Sequence, residues 1–468
     1  MILMEKGISR DGLDHILDAA GDQYLVGAYR DTLKLRTTSH SGRPKTAAAS
    51  GPRLPRRAVA PAAPRPYIIG TEGKNQNSKK MSNQVVVIGG GVMGSALAYW
   101  LTRLEPTASV TVIERDPSYA QASSALSAAS IRQQFSAAVN IRISQASIDF
   151  LRNAALELAV GEERPDILLR EQGYLYLAGP DGAAHLRRAH SVQTACGSEV
   201  ALLDAAALRD RFGWLNTADL SLGSLGLRGE GWFDGYALLT AFARKARAQG
   251  ARYVKGEVSG LTLGGTRITE VTLSNGSRIG CRYVVNAAGP WSRRVAALAG
   301  VELPVFARRR TVYVISCPAA LGSFPLLIDP TGFWIRPDGA KFIAGFSPAD
   351  DADDQPLEPD YDAFEGYLWP ALAHRIPAFE QAKLERAWAG YFEMNTFDHN
   401  AILGAHASVE NLLFMNGFSG HGMQQAPIIG RAVAELVLHG RFDSLDVSDL
   451  LFERIAKNRP LYEANVIG

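Results

Sequence analysis

The chain has 468 residues, 47% of them apolar and 21% charged, with a formal net charge of +2 and three cysteines. That length suggests two or three domains with ample volume for a core, and no apolar run reaches the roughly 18 residues needed to cross a bilayer. Cys196, Cys281 and Cys317 are scattered and form no C-x-x-C pair, which argues against a disulfide framework or a metal site and points to a reducing compartment.

Charge is unevenly spread. Residues 1–80 hold 14 Lys and Arg against 7 Asp and Glu. The body is therefore mildly acidic, which argues against a nucleic-acid or membrane-binding surface. Some helical apolar spacing runs through residues 11–36. From residue 32 to residue 71 there is no acid, and Ala, Pro, Ser and Arg dominate. Such a composition cannot bury a core and predicts a disordered basic extension. It is similar to a mitochondrial presequence in being Arg-rich, but Glu5, Asp11, Asp14, Asp18, Asp22 and Asp31 are residues a presequence lacks. Met81 stands just before the first strand. Residues 1–80 are thus expected to be an upstream extension of the reading frame on a cytoplasmic protein; the alternative is a presequence and a mitochondrial one.

Val85, Val86, Val87 and Ile88 predict a short strand buried on both faces. Gly89, Gly91 and Gly94 follow with G-x-G-x-x-G spacing, and residues 95–101 continue as a helix. Gly89 makes the tight turn, Gly91 lets backbone approach a pyrophosphate, and Gly94 lets the helix lie against the strand. The pyrophosphate would sit on the N–H groups near Val92 and Met93. The next apolar run, 110–114, ends in Glu114, where a ribose-binding carboxylate belongs. Together these predict a dinucleotide site.

Residues 123–135 are rich in Ser and Ala, with Arg132 embedded among them; a ligand contact and a salt-bridged surface loop both suit this composition. Helices are expected over 137–158 and 183–196, and a strand over 173–178. Asp234 should cap a helix that stops at Gly250. Strand-like runs at 268–273 and 278–286 flank a hairpin turn at 274–277, and small residues follow in Ala288, Gly289 and Trp291. Runs at 310–316, 333–336 and 341–346 look antiparallel, which suggests a second domain. Residues 360–374 should form its covering helix, interrupted at Pro370. A buried strand at 411–417 then leads through Gly420, His421, Gly422 and Met423 to a helix over 428–439. This second glycine-rich strand-to-helix turn offers N–H groups to another electron-rich ligand atom.

In this order the segments resemble the D-amino-acid-oxidase superfamily of FAD-dependent oxidoreductases, which includes sarcosine and glycine oxidases. Residues 124–136 and 417–427 look closest to the branch of FAD-dependent oxidoreductase domain proteins, whose animal member is a mitochondrial complex I assembly factor. The resemblance implies a mixed α/β (α+β) fold. A Rossmann-like FAD-binding domain (81–165, 231–304 and 386–468) would carry an antiparallel-sheet substrate domain (166–230 and 305–385). Gly89, Gly91, Val92, Met93 and Gly94 would hold the pyrophosphate, and Glu114 the ribose. Arg115, Ser124 and Val258 would lie by the nucleotide. Ala288, Gly289 and Trp291 would line the cofactor, and Gly420, Gly422 and Met423 would meet the flavin's N1–C2=O edge.

The implied reaction is oxidation of the C–N bond of a small amine or amino acid by hydride transfer to flavin. Arg132 and Arg336 are candidate carboxylate clamps. His421 would tune flavin charge or handle a proton, or else hydrogen-bond its turn. Gln424 stands where sarcosine-oxidase-like proteins carry a substrate-binding lysine, and Tyr391 where they carry the flavin-linking cysteine, so FAD should be noncovalent. No lysine lies between Lys341 and Lys383, where those oxidases place an oxygen-assisting cation. Oxygen and a quinone or protein acceptor are therefore equally open. The branch also implies an alternative, a flavoprotein that assists assembly of a respiratory complex with little turnover. A nicotinamide-dependent dehydrogenase would use only the first glycine motif.

Overall fold

The structure, a computed structural model, describes residues 84–348 and 351–464; the expectations for residues 1–80 lie outside them. Gln84–Ile88 is the central strand of a six-stranded sheet. Its order is Ile402–Ala405, Leu412–Asn416, Tyr283–Asn286, Gln84–Ile88, Ser109–Glu114 and Arg252–Lys255. All neighbours are parallel except the first pair. The central strand is buried on both sides because its alternate residues enter different cores. Val85 and Val87 pack with helices Val92–Leu104 and Gly422–His439, while Val86 and Ile88 pack beneath a three-stranded sheet.

That three-stranded sheet changes one expectation. The run 278–286 is not one strand: Arg278–Gly280 closes the hairpin with Arg267–Leu273, and Tyr283–Asn286 leaves to join the parallel sheet. Asn411 holds the break, its Nδ2 donating to the carbonyls of Ile268 at 2.7 Å and Arg282 at 2.9 Å.

The second sheet has eight strands, in the order Lys383–Asn395, Val305–Ser316, Lys341–Gly345, Trp334–Asp338, Leu326–Ile328, Tyr174–Ala178, Leu222–Gly226 and Val200–Asp204. It is antiparallel except where Tyr174–Ala178 meets Leu326–Ile328 in parallel. That seam joins the strands laid down before the chain's return to the parallel sheet to those laid down after it. Leu175, Leu177, Tyr313 and Ile335 face one core with Phe364, Leu368 and Phe379 from the covering segment. Tyr174, Tyr176, Val312 and Trp334 form the opposite face.

Three helices depart from their expected spans. The last begins at Gly422, with Pro427 inside it; the Trp100 indole donates to the Pro427 carbonyl at 2.7 Å. The covering segment is a π-helical turn, Phe364–Leu368, running into helix Trp369–Arg375 with Pro370 in its first turn. Helix Ala138–Arg152 breaks at Asn153 before Ala154–Glu157. Among the described residues no helix is long and apolar enough to cross a membrane.

Helix Ala138–Arg152 has no local side-chain cap. Glu463 supplies one from the far end of the chain. It accepts from Ser136 N (2.8 Å), Ser136 Oγ (2.7 Å), Ala137 N (3.1 Å) and Asn140 Nδ2 (3.0 Å), while only 1% exposed. Truncation leaves buried donors unsatisfied at a helix N-terminus, so Glu463→Ala should cost about 2–4 kcal/mol in denaturant unfolding, with Glu463→Gln recovering part.

Candidate active site

A cavity of about 370 Å³ lies between the carboxyl ends of the parallel strands and the tyrosine-bearing face of the eight-stranded sheet. Chain connections leave the central strand's flanks in opposite directions here, the switch point at which open α/β sheets bind ligands. Ile88, Gly89 and Gly91 border it from one strand end, and Ala287, Ala288 and Gly289 from the next.

The first glycine turn is built by close contact. Gly89 has φ +102°, and a Cβ there would lie 2.3 Å from the Ala287 carbonyl; a Cβ on Gly94 would lie 1.9 Å from the Gly89 carbonyl. Gly91 differs, since a Cβ would meet only Ser124 Oγ, at 3.2 Å. Its open side is the cavity. Ser124 Oγ accepts from Val92 N at 3.3 Å, no acid stands in the first helical turn, and both Val92 and Met93 line the cavity. Glu114 accepts from Gly90 N through Oε2 and from Asp116 N through Oε1, each at 2.8 Å. These bonds aim the carboxylate along the cavity rim. The Arg115 guanidinium stacks 3.6 Å over the Trp291 ring, whose edge meets Tyr391 at 6.0 Å. Val258 borders the cavity at the start of Val258–Gly264. At Gly289 (φ +54°) a Cβ would meet nothing within 4 Å.

A second helix N-terminus opens on the same cavity. Gly420, Gly422 and Met423 line it, and helix Gly422–His439 has neither an acid in its first turn nor a side-chain cap. Arg132, Tyr174, Val312, Trp334, Arg310 and Glu393 also line the cavity. Arg132 is 2% exposed, its guanidinium 4.4 Å from the Phe135 ring and 5.8 Å from that of Tyr174. The Tyr174 phenol hydrogen-bonds with Arg132 and meets Ser130 Oγ at 3.0 Å.

Three expected site residues take other places. Arg336, on the same strand face as Trp334, is absent from the cavity lining. It donates to the Ala128 and Pro337 carbonyls, each at 2.8 Å, and to Asp338 at 3.1 Å. It thereby ties the sheet hairpin to the small-residue loop. Gln424 lies behind Arg132, its Oε1 accepting the Arg132 backbone N–H at 2.8 Å. His421 is 1% exposed and packs edge-on to Phe135 at 4.9 Å, with neither ring nitrogen hydrogen-bonded among the described residues. Burial first, then Arg132 and His399, hold its pKa well below the usual value, so the ring is neutral. Gln424 and His421 therefore shape the Arg132 pocket from outside the cavity.

Two cavity residues escaped the sequence reading. Arg310 forms a two-pronged pair with Asp351, at 2.5 and 3.1 Å, but in sequence it is one of three consecutive arginines. Glu393 sits in Lys383–Asn395, whose mixed burial hides its strand period.

Residues 84–436 match the family model described as DAO, FAD dependent oxidoreductase. The chain is 43% identical over 421 residues to FAD-dependent oxidoreductase domain-containing protein 1 of Xenopus laevis, covering 82% of this chain and 84% of that one. It is 25% identical over 366 residues to glycine oxidase of Geobacillus kaustophilus, covering 75% and 92%. Among solved structures, L-proline dehydrogenase from P. horikoshii superposes with a TM-score of 0.73 at 25% identity, over 81% of this chain and 99% of that one. The cavity suits FAD: two helix N-termini with no acid in their first turns meet there, and Gly91 and Gly289 turn their open sides to it.

The glycines separate folding from binding. Gly94→Ala forces the helix off its strand and should yield little folded protein. Gly91→Ala should fold, its apoprotein melting within about 3 °C of the parent, yet retain less flavin on gel filtration.

Proposed function

The chain belongs to the DAO family of FAD dependent oxidoreductases, and on that premise we propose that it oxidises the C–N bond of a small amine or amino acid. FAD is held noncovalently; all three cysteines lie off the cavity. In this reading Gly89, Gly91, Val92, Met93, Glu114 and Ser124 hold the nucleotide end, with Arg115, Val258, Ala288, Gly289 and Trp291 beside it. Gly94 sets the close approach of the helix. Gly420, Gly422 and Met423 would hold the flavin end at the second helix N-terminus, whose partial positive charge suits an electron-rich group. When bound, FAD supplies the two-electron acceptor. The substrate half of the cavity is the tyrosine-bearing face of the eight-stranded sheet.

The observation that carries the reading is Arg132. A buried guanidinium on an aromatic wall, opening on the same cavity as both helix termini, is a ready partner for a substrate carboxylate. Tyr174 orients it, and Gln424 fixes its backbone. Arg336 serves as a positioning residue for the loop that carries Arg132.

The test is anaerobic mixing of the purified flavoprotein with N-methylglycine, glycine, D-alanine and L-proline. At least one should bleach the flavin and yield the carbonyl product; a panel that never bleaches it overturns the reading. With the active substrate, Arg132→Met should raise KM on the order of 10²-fold or more through loss of a charge-assisted pair. Arg336→Met should show chiefly in the melting temperature, with a smaller change in KM.

A further inference from the structure

Glu393 lines the cavity from strand Lys383–Asn395, and no ion pair holds it among the described residues. Its Oε2 accepts the Gly417 N–H at 3.2 Å, the Phe418 N–H also bonds the carboxylate, and its carbonyl accepts from Ser419 N at 3.1 Å. The side chain thus sits at the root of the turn that feeds the second helix terminus, and its remaining accessible surface faces the cavity. An amino acid held through its carboxylate on Arg132 brings an ammonium into this cavity, and the ammonium needs an anionic partner. We propose that Glu393, in its carboxylate form, receives the substrate's ammonium and takes its proton on binding.

In this step an ammonium N–H bond breaks, a carboxyl O–H bond forms, and the electron pair stays on nitrogen. Only the free amine can then lose hydride from the adjacent carbon. An ordinary carboxyl is about six pKa units too acidic to take a proton from an aliphatic amine. Burial pushes Glu393 up to about 8, which closes most of that gap, with the two backbone N–H groups opposing the rise. The ionisable groups on neighbouring elements are Arg308 and Arg310 on the paired strand, and Arg115 and Arg294 beside residues 289–291. Arg132 lies on the small-residue loop, Tyr391 on the same strand, and His421 and His399 around the turn. Arg308 and Arg310 are paired with acids, as is Arg294, and burial holds both histidines neutral. None of these groups is among the causes of the Glu393 shift.

The proposal rests on amine oxidation as the reaction, and its test has a part that does not. (Methylthio)acetate, an N-methylglycine isostere with sulfur for nitrogen, is titrated into the full-chain holoprotein and followed by flavin absorbance. Its affinity should fall as pH rises through about 8, approaching tenfold per unit, because ionised Glu393 then faces an anion with no ammonium between them. Glu393→Gln should abolish that break. With a reducing amine, Glu393→Gln should also slow anaerobic bleaching on the order of 10²-fold near neutral pH, with Glu393→Asp restoring part. A pH-independent wild-type titration overturns the proposal, as does a flavin-loaded Glu393→Gln protein that keeps the break. Should Glu393→Gln fail to hold flavin, the wild-type titration and Glu393→Asp still decide. If no amine bleaches the flavin, amine oxidation fails, while the (methylthio)acetate break still reports whether Glu393 titrates against a bound anion.

Discussion

The Gly89 carbonyl occupies the space that a side chain at residue 94 would need, and the rest of the site depends on that contact. It sets how closely helix Val92–Leu104 lies on its strand. That helix is in turn crossed by Gly422–His439, where a Cβ on Gly430 would stand 2.9 Å from the Ala96 backbone. Two glycines therefore fix the depth of two helices, one on the other. Because both N-termini end at the same sheet edge, one cavity receives both sets of N–H groups. Ångström-scale displacement at Gly94 would move the second terminus as well, since close-packed helices transmit strain rather than absorb it.

Much of this was legible in the chain. β-Branched runs, glycine spacing and the Glu114 position belong to local patterns, and local patterns carry the nucleotide half. The substrate half is assembled from segments separated by more than a hundred residues, and there sequence reading lost resolution for physical reasons. The run 278–286 carries strand-forming residues at both ends, yet Asn411, far along the chain, divides it between two sheets. Lys383–Asn395 hides its period because its partner and the cavity bury it unevenly. Arg336, Gln424 and His421 stand in segments that do border the cavity, but their side chains point behind its wall. Which way a side chain leaves its backbone is set by neighbours that one sequence does not name.

The displaced residues explain why Arg132 is where it is. Its guanidinium lies against Phe135, whose edge is met by neutral His421. Protonating His421 would bring a second cation beside Arg132, so burial, which keeps the histidine neutral, protects the arginine's field. Gln424 holds the Arg132 backbone, and Arg336 holds Ala128 on the same loop. A desolvated guanidinium is costly in a folded protein unless packing and hydrogen bonds fix it; here Phe135 and Tyr174 hold the guanidinium, while Gln424 and Arg336 hold the loop that carries it.

The cost of removing water from Arg132 is met when the chain folds, not when a ligand arrives. An incoming carboxylate therefore meets a cation already oriented and dry, in surroundings where charge–charge attraction is stronger than in bulk water. Burial likewise holds Glu393 toward its neutral form. In the proposed step an ammonium meets the ionised form of Glu393 and gives up a proton to it, whereas a purely anionic ligand opposes that form. On the reading proposed above, the two residues would favour zwitterions over simple acids through desolvation. That selectivity rests on residues lying outside both glycine motifs.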